Sequence, residues 1–137
     1  MGMILVRSDD DIWVNSFDWG QMLRLAQLYG WQPAGTVINE EDLNDFPNGE
    51  WGGGYQTNDW QRVTADDARN MTEALERALN DLPKHDALAS KREPTTGGIP
   101  LEHMAEGISP LDWFSGESKQ RLEKYIEFCR AGEFVIK

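Results

Sequence analysis

The residues of this chain with the capacity for chemistry are clustered carboxylates, aromatics beside glycine, a pair of histidines and a single thiol. Asp9, Asp10 and Asp11 stand side by side, and Glu40, Glu41, Asp42 and Asp45 form a second acidic group. Adjacent carboxylates attract divalent cations. A calcium loop, however, spaces its oxygens along the chain, turns on a glycine and ends on a distal Glu. The Asp9–Asp11 run has none of that spacing and reads as a solvated turn. The run Trp51 to Tyr55, with Gly52, Gly53 and Gly54 between, invites a phosphate loop but lacks the Lys-Ser/Thr ending and the preceding long strand. Trp51, Tyr55, Asp59 and Trp60 could instead line an aromatic pocket for a sugar or small metabolite, since such rings pair a flat apolar face with a polar edge. The competing reading is that these rings plug a glycine turn. His85 and His103, with Asp86, Glu102 and Glu106 nearby, match no zinc spacing. Cys129 falls on the apolar stripe of a helix, as a small buried residue would. No catalytic constellation emerges, and neither metal nor cofactor is expected.

The elements that must position these residues are organised around Thr64–Pro83. Ala68, Met71, Leu75, Ala78, Leu79 and Leu82 recur at helical steps and share one face. Thr64 is a suitable N-cap, Asp66 and Asp67 sit at the positive end of the helix dipole, and Pro83 stops the helix. Upstream, Met3–Arg7 reads as a strand. Ile12–Phe17 alternates like a second one, with a hairpin across Asp9–Asp11. Asp18 with Gln21 resembles a capping box opening a helix to Tyr29, closed by Gly30. Between 36 and 63 the reading is irregular: Val37 and Ile38 as a short strand or loop end, then a short acidic helix after Asn39. Residues 84–100 read as a flexible loop. Ser115 caps a last helix with Leu122, Tyr125, Ile126 and Cys129 inward. Phe134–Ile136 is a terminal strand able to pair with Met3–Arg7. The expectation is therefore one α+β domain over 1–137. Three main amphipathic helices lie near 18–29, 65–82 and 116–131, and a small antiparallel sheet (3–7, 12–16 and 133–136) joins the termini.

The net charge of −11 narrows the partners. Residues 1–68 carry 12 acidic and 3 basic residues, whereas 69–137 carry 12 and 10, so the first half holds most of the excess. Binding to nucleic-acid phosphates or to an anionic membrane wants the opposite sign. A basic partner protein fits. The single cysteine and the absence of a secretory-type start point to the cytoplasm. The first functional expectation is a non-enzymatic, immunity- or inhibitor-like module that docks a basic protein through Asp9–Asp11 and Glu40–Asp45. The alternative is a small-ligand or carbohydrate domain, enzymatic or not, using the Trp51/Tyr55/Trp60 pocket. Oligomeric state stays open.

The opening MGM and the closing FCRAGEFVI (Phe128–Ile136) resemble the ends of a loose set of short, uncharacterised bacterial and phage proteins. The internal stretches GWQPAGT (Gly30–Thr36) and GGYQTNDWQRVTADDA (Gly53–Ala68) are similar to pieces of the same set. The resemblance implies a bacterial origin, or a phage or mobile-element accessory protein. It carries no activity and no functional residue, because its motifs are helix ends, glycine turns and aromatic anchors.

Overall fold

The computed structural model describes residues 2–87 and 107–137. Most of the loop expected at 84–100, together with His103, Glu102 and Glu106, lies outside the described residues. The fold is α+β. Strands β1 (Gly2–Arg7) and β2 (Asp10–Asn15) form a hairpin with Leu5 opposite Ile12 and Arg7 opposite Asp10. Helix α1 (Ser16–Leu28) follows directly. A 3₁₀ segment at Glu40–Asp45 leads through irregular chain to β3 (Gln61–Val63) and α2 (Ala65–Leu79). After α3 (Pro110–Trp113), α4 (Lys119–Arg130) delivers β4 (Phe134–Ile136). The sheet is antiparallel in the order β2-β1-β4-β3, so the expected pairing of the first and last strands is present, with Leu5 opposite Ile136.

Strand alternation decides which face meets the helices. Met3, Leu5, Val14, Val63, Phe134 and Ile136 turn inward and are buried. They join Trp19, Met22 and Leu25 of α1, Met71 and Leu75 of α2, and Leu122 and Ile126 of α4 in one apolar core. Trp19 and Phe128 both meet Phe134 edge-on, at 6.4 and 5.8 Å between centroids. Arg7 locks the hairpin to the end of α4. Its guanidinium donates to the carbonyls of Phe128 (2.6 Å) and Gly132 (3.0 Å) and lies 3.9 Å from the Phe128 ring. A cation at the negative end of a helix satisfies carbonyls that have no partner within the helix.

Several local expectations need correction. Asp18 does not cap α1. The helix starts at Ser16, and Asn15 Oδ1 accepts from the Asp18 amide at 2.7 Å, which also takes Ser16 and Phe17 out of the strand. Asp10 and Asp11 belong to β2, and Ser8 and Asp9 alone make the hairpin turn. Ser115 does not cap the last helix through its side chain. Its hydroxyl donates to the Asp112 carbonyl and accepts from the Ala87 amide, while a 3₁₀ turn at Gly116–Ser118 feeds α4. Strand β3 is an addition, and Val37 pairs with Arg62 as an isolated bridge beyond it. Thr64 caps α2 as expected, accepting from the Asp67 amide. Gly30 closes α1 at φ 103°, with Trp31 N–H bonded back to Ala26 O at 2.9 Å.

Among the described residues, Gly116 is the one glycine where both conformation and space forbid a side chain. Its φ is +58°, its amide donates to Pro83 O, and an added Cβ would sit 2.9 Å from the Asp86 backbone. Gly116→Ala is expected to destabilise the protein by about 1–3 kcal/mol. Gly52→Ala, with open space around its Cβ, should stay within about 1 kcal/mol of the parent. Urea midpoints of both variants check the contrast.

Candidate functional site

The face of the sheet turned away from the helices is the part of the molecule least accounted for by folding. Register places Trp13 of β2, Ile4 of β1 and Lys137, just past β4, side by side, because Ile4 exchanges both backbone hydrogen bonds with Lys137. The adjoining row runs Asp11, Val6, Val135 and Arg62. Trp60 completes the first row, with Lys137 Nζ 5.1 Å from its ring centroid. Trp13 and Trp60 are each 58% exposed, while Ile4, Val6 and Val135 are half-buried. Two large exposed indoles flanking an aliphatic strip are not needed by the core, which lies on the other face.

A groove opens beside Trp60. It has a volume of about 540 Å³ and is lined by Asn39, Asp42, Asp45, Phe46, Asn58, Asp59, Trp60 and Val135. The 3₁₀ segment supplies one wall, and Phe46 is backed by Trp51 at 4.9 Å. Trp51 in turn donates from Nε1 to Thr36 Oγ1. The opposite wall is set by Gln61, fully buried at the start of β3. Its Oε1 accepts from the Asp59 amide at 2.9 Å, and its Nε2 donates to Thr57 O at 2.7 Å. Asn58 clips the same loop to the carbonyls of Gly2 and Lys137. These bonds hold Trp60 at φ +64°, a left-handed conformation that costs a non-glycine residue of order 1–3 kcal/mol. Among the described residues no basic side chain pairs with Asp42, Asp45 or Asp59, whereas Arg62 faces Glu133 at 3.9 Å.

No family model, curated protein or solved structure matches the chain. What the arrangement can do is therefore read from its chemistry alone.

Two buried carboxylates attract attention as catalytic candidates, and their surroundings give both a structural role. Asp18 is fully buried and accepts from Trp113 Nε1 (2.8 Å), Arg121 Nε (2.9 Å) and Tyr125 Oη (2.6 Å). Burial pushes its carboxyl up, but the bonds from Arg121, Tyr125 and Trp113 outweigh this and hold it below its ordinary value. Asp67 accepts from Trp31 Nε1 (2.9 Å), the Ala34 amide (3.2 Å) and Tyr55 Oη (2.5 Å). Burial, with the bond to Asp67 second, pushes the Tyr55 phenol well above its usual range. Neither carboxylate lines the groove or the recess beside Tyr55, and no buried side-chain polar atom among the described residues lacks a partner. Cys129 is buried, which pushes its thiol up to about 12 and leaves it protonated and inert at neutral pH. No group of three or more His, Cys, Asp or Glu among the described residues could hold a metal ion. No helix among them is long and apolar enough to cross a membrane.

The candidates from the sequence are thus redistributed. Glu40, Glu41, Asp42 and Asp45 share the 3₁₀ segment, and Asp42 and Asp45 reach the groove. Asp9 and Asp10 are exposed at the hairpin, and only Asp11 of that trio joins the outer face. Tyr55 is buried against Asp67 and lines a separate recess of about 320 Å³ with Leu23, Trp31 and Pro33. Trp60 and Asp59 line the acidic groove, and Trp51 lines neither cavity. Trp13 escaped notice, although its alternation against Ile12 and Val14 already placed it on the opposite side of β2.

Proposed function

We propose that this chain is a non-enzymatic acidic binding module, inhibitor- or immunity-like, that docks a basic partner protein on the outer face of its sheet. The observation that carries the proposal is the groove. It sets three carboxylates, Asp42, Asp45 and Asp59, which have no basic partner among the described residues, beside an exposed and conformationally strained Trp60. Buried aromatic anchors dominate protein interfaces, and rim charges set association rate and partner choice. An acidic groove with an indole in its wall suits a partner that presents Lys or Arg around an apolar knob. Cations seat readily on indole faces, as Lys137 does here. Backbone strain held in place by Gln61 and Asn58 is consistent with a residue kept in position for binding.

Two substitutions separate the anchor from the steering charges. Trp60→Ala is expected to weaken partner binding by about thirtyfold or more, mainly through faster dissociation. The Asp42→Asn/Asp45→Asn pair should slow association and flatten its salt dependence, with a smaller change in dissociation. Surface plasmon resonance at several salt concentrations reads both effects. Full affinity in the Trp60→Ala variant would remove the anchor from the account.

A further inference from the structure

The two edges of the sheet are unequal. At the β3 edge, the Arg62 backbone already exchanges both hydrogen bonds with Val37, at 2.7 and 2.9 Å. The β2 edge is different, and the register shows which groups it presents. Ile4 gives both its N–H and its C=O to Lys137, the residue just after the last strand, so it gives neither to Trp13 opposite it. In an antiparallel ladder the backbone groups of alternate residues point to alternate sides. The N–H and C=O of Trp13, and by the same alternation those of Asp11, therefore point away from β1, at the outer margin of the sheet. No described residue bonds to them. The side chains of Asp11 and Trp13 both lie on the outer face, continuous with the docking surface, and both are exposed.

An open edge of this kind is a template for another strand. A second copy of this chain is a poor occupant, because the pairing would bring together two molecules that each carry a net charge of −11. The occupant favoured by charge is basic. Resting on the reading of the outer face as a docking site for a basic protein, we infer that an extended, Lys- or Arg-bearing segment of that partner adds to β2 as a further strand. Residues of the added strand opposite Asp11 and Trp13 are two apart and share one face. Lys or Arg suits both places, as an ion pair with Asp11 and as a cation over the Trp13 ring. The residue between them faces the helix side, where Ile12 packs against the core, and is apolar. The expected segment alternates basic and apolar side chains.

The test uses the full chain and an acetylated octapeptide alternating Lys and Val. In an antiparallel register that sets Lys opposite Asp11 and Trp13, the Lys amides donate to β2 and the Val amides face away. N-methylation of the Lys amides should therefore weaken binding by about tenfold or more, whereas N-methylation of the Val amides should leave it nearly unchanged. Tryptophan fluorescence reports binding, and hydrogen exchange at the Asp11 and Trp13 amides reports the site, with both amides protected only when peptide is bound. Equal binding of the two methylated peptides would mean charge adhesion without strand addition and would overturn the inference. So would no binding, slow exchange at Asp11 and Trp13 in the free protein, or a dimer of the chain alone with those amides protected. The Trp60→Ala variant should still bind this peptide at β2. Loss of strand addition with a groove-dependent partner retained would overturn this inference and leave the docking reading intact.

Discussion

Asp18→Ala is expected to lower the stability of the protein by about 3 kcal/mol, because one carboxylate completes the bonding of three separate side chains. Its removal leaves the Trp113 indole N–H and the Tyr125 hydroxyl buried without their acceptor. Arg121 is 45% exposed and recovers part of its loss from water. The loss falls where α1 meets α3 and α4, so the unfolding transition should also broaden if those helices loosen first. The pH dependence has a definite sign. The folded carboxyl lies below its ordinary value, since donated bonds outweigh burial. Its contribution is therefore complete above an unfolded value of about 3.9 and fades as pH falls through the lower folded value. The gap between parent and Asp18→Ala should be widest near neutral pH and should narrow on strong acidification. Urea midpoints at neutral pH and near pH 2 measure it, and a gap that does not depend on pH would contradict an ionised Asp18.

Asp67→Ala should cost a similar amount, about 3 kcal/mol, through a different part of the chain. Asp67 gathers the Trp31 indole, the Ala34 amide and the Tyr55 hydroxyl at the start of α2, and Tyr55 Oη accepts from the Gly35 amide in turn. The carboxylate thereby joins the turn after α1 to the glycine-rich loop. Thr36 extends that join, since its N–H bonds to Gly53 O and its hydroxyl carries Trp51. Tyr55→Phe removes one donor and should cost about 1 kcal/mol. The double variant Asp67→Ala/Tyr55→Phe should cost less than the sum, because the second change removes a donor already orphaned by the first. Urea unfolding followed by tryptophan fluorescence gives all three values, and strict additivity would contradict the shared bond. Asp67 lines no part of the acidic groove but supports its aromatic wall through Trp51, so its loss should also weaken docking indirectly.

Both hubs show where sequence reasoning stops. Asp18 and Asp67 were legible as helix-start residues, since local rules favour carboxylates in a first turn. Their partners were not legible. Trp113, Arg121 and Tyr125 stand 95, 103 and 107 residues from Asp18, and nothing in the local pattern links them. The α+β class, α2 with its Thr64 cap and the pairing of the first and last strands followed from periodicity and turn chemistry. Strand β3 did not, because three residues after a left-handed Trp60 carry too little alternation to be seen. The start of α1 was displaced because Ser16 and Phe17 continued the β2 alternation, while the Asn15 side chain was already capping the helix.

The candidate site was half legible for a related reason. Asp42 and Asp45 belonged to one proposed surface and Asp59 and Trp60 to a rival one. The sheet places the loop before β3 against the 3₁₀ segment and makes them neighbours in one groove. Trp51 and Tyr55 parted from Trp60 because each ring found its own polar partner, Thr36 for Trp51 and Asp67 for Tyr55.

The central claim is that a basic protein docks on this face. The most direct measurement is capture from host lysate on the immobilised chain, beside a Trp60→Ala/Asp42→Asn/Asp45→Asn variant, with bound proteins and their cross-links mapped by mass spectrometry. The account predicts a stoichiometric basic partner that is held by the parent at low salt, released at high salt, lost to the variant, and cross-linked around the groove and outer sheet face. A partner held equally by the variant, or cross-linked only to the helical side, would contradict it, as would the capture of nothing at either salt concentration.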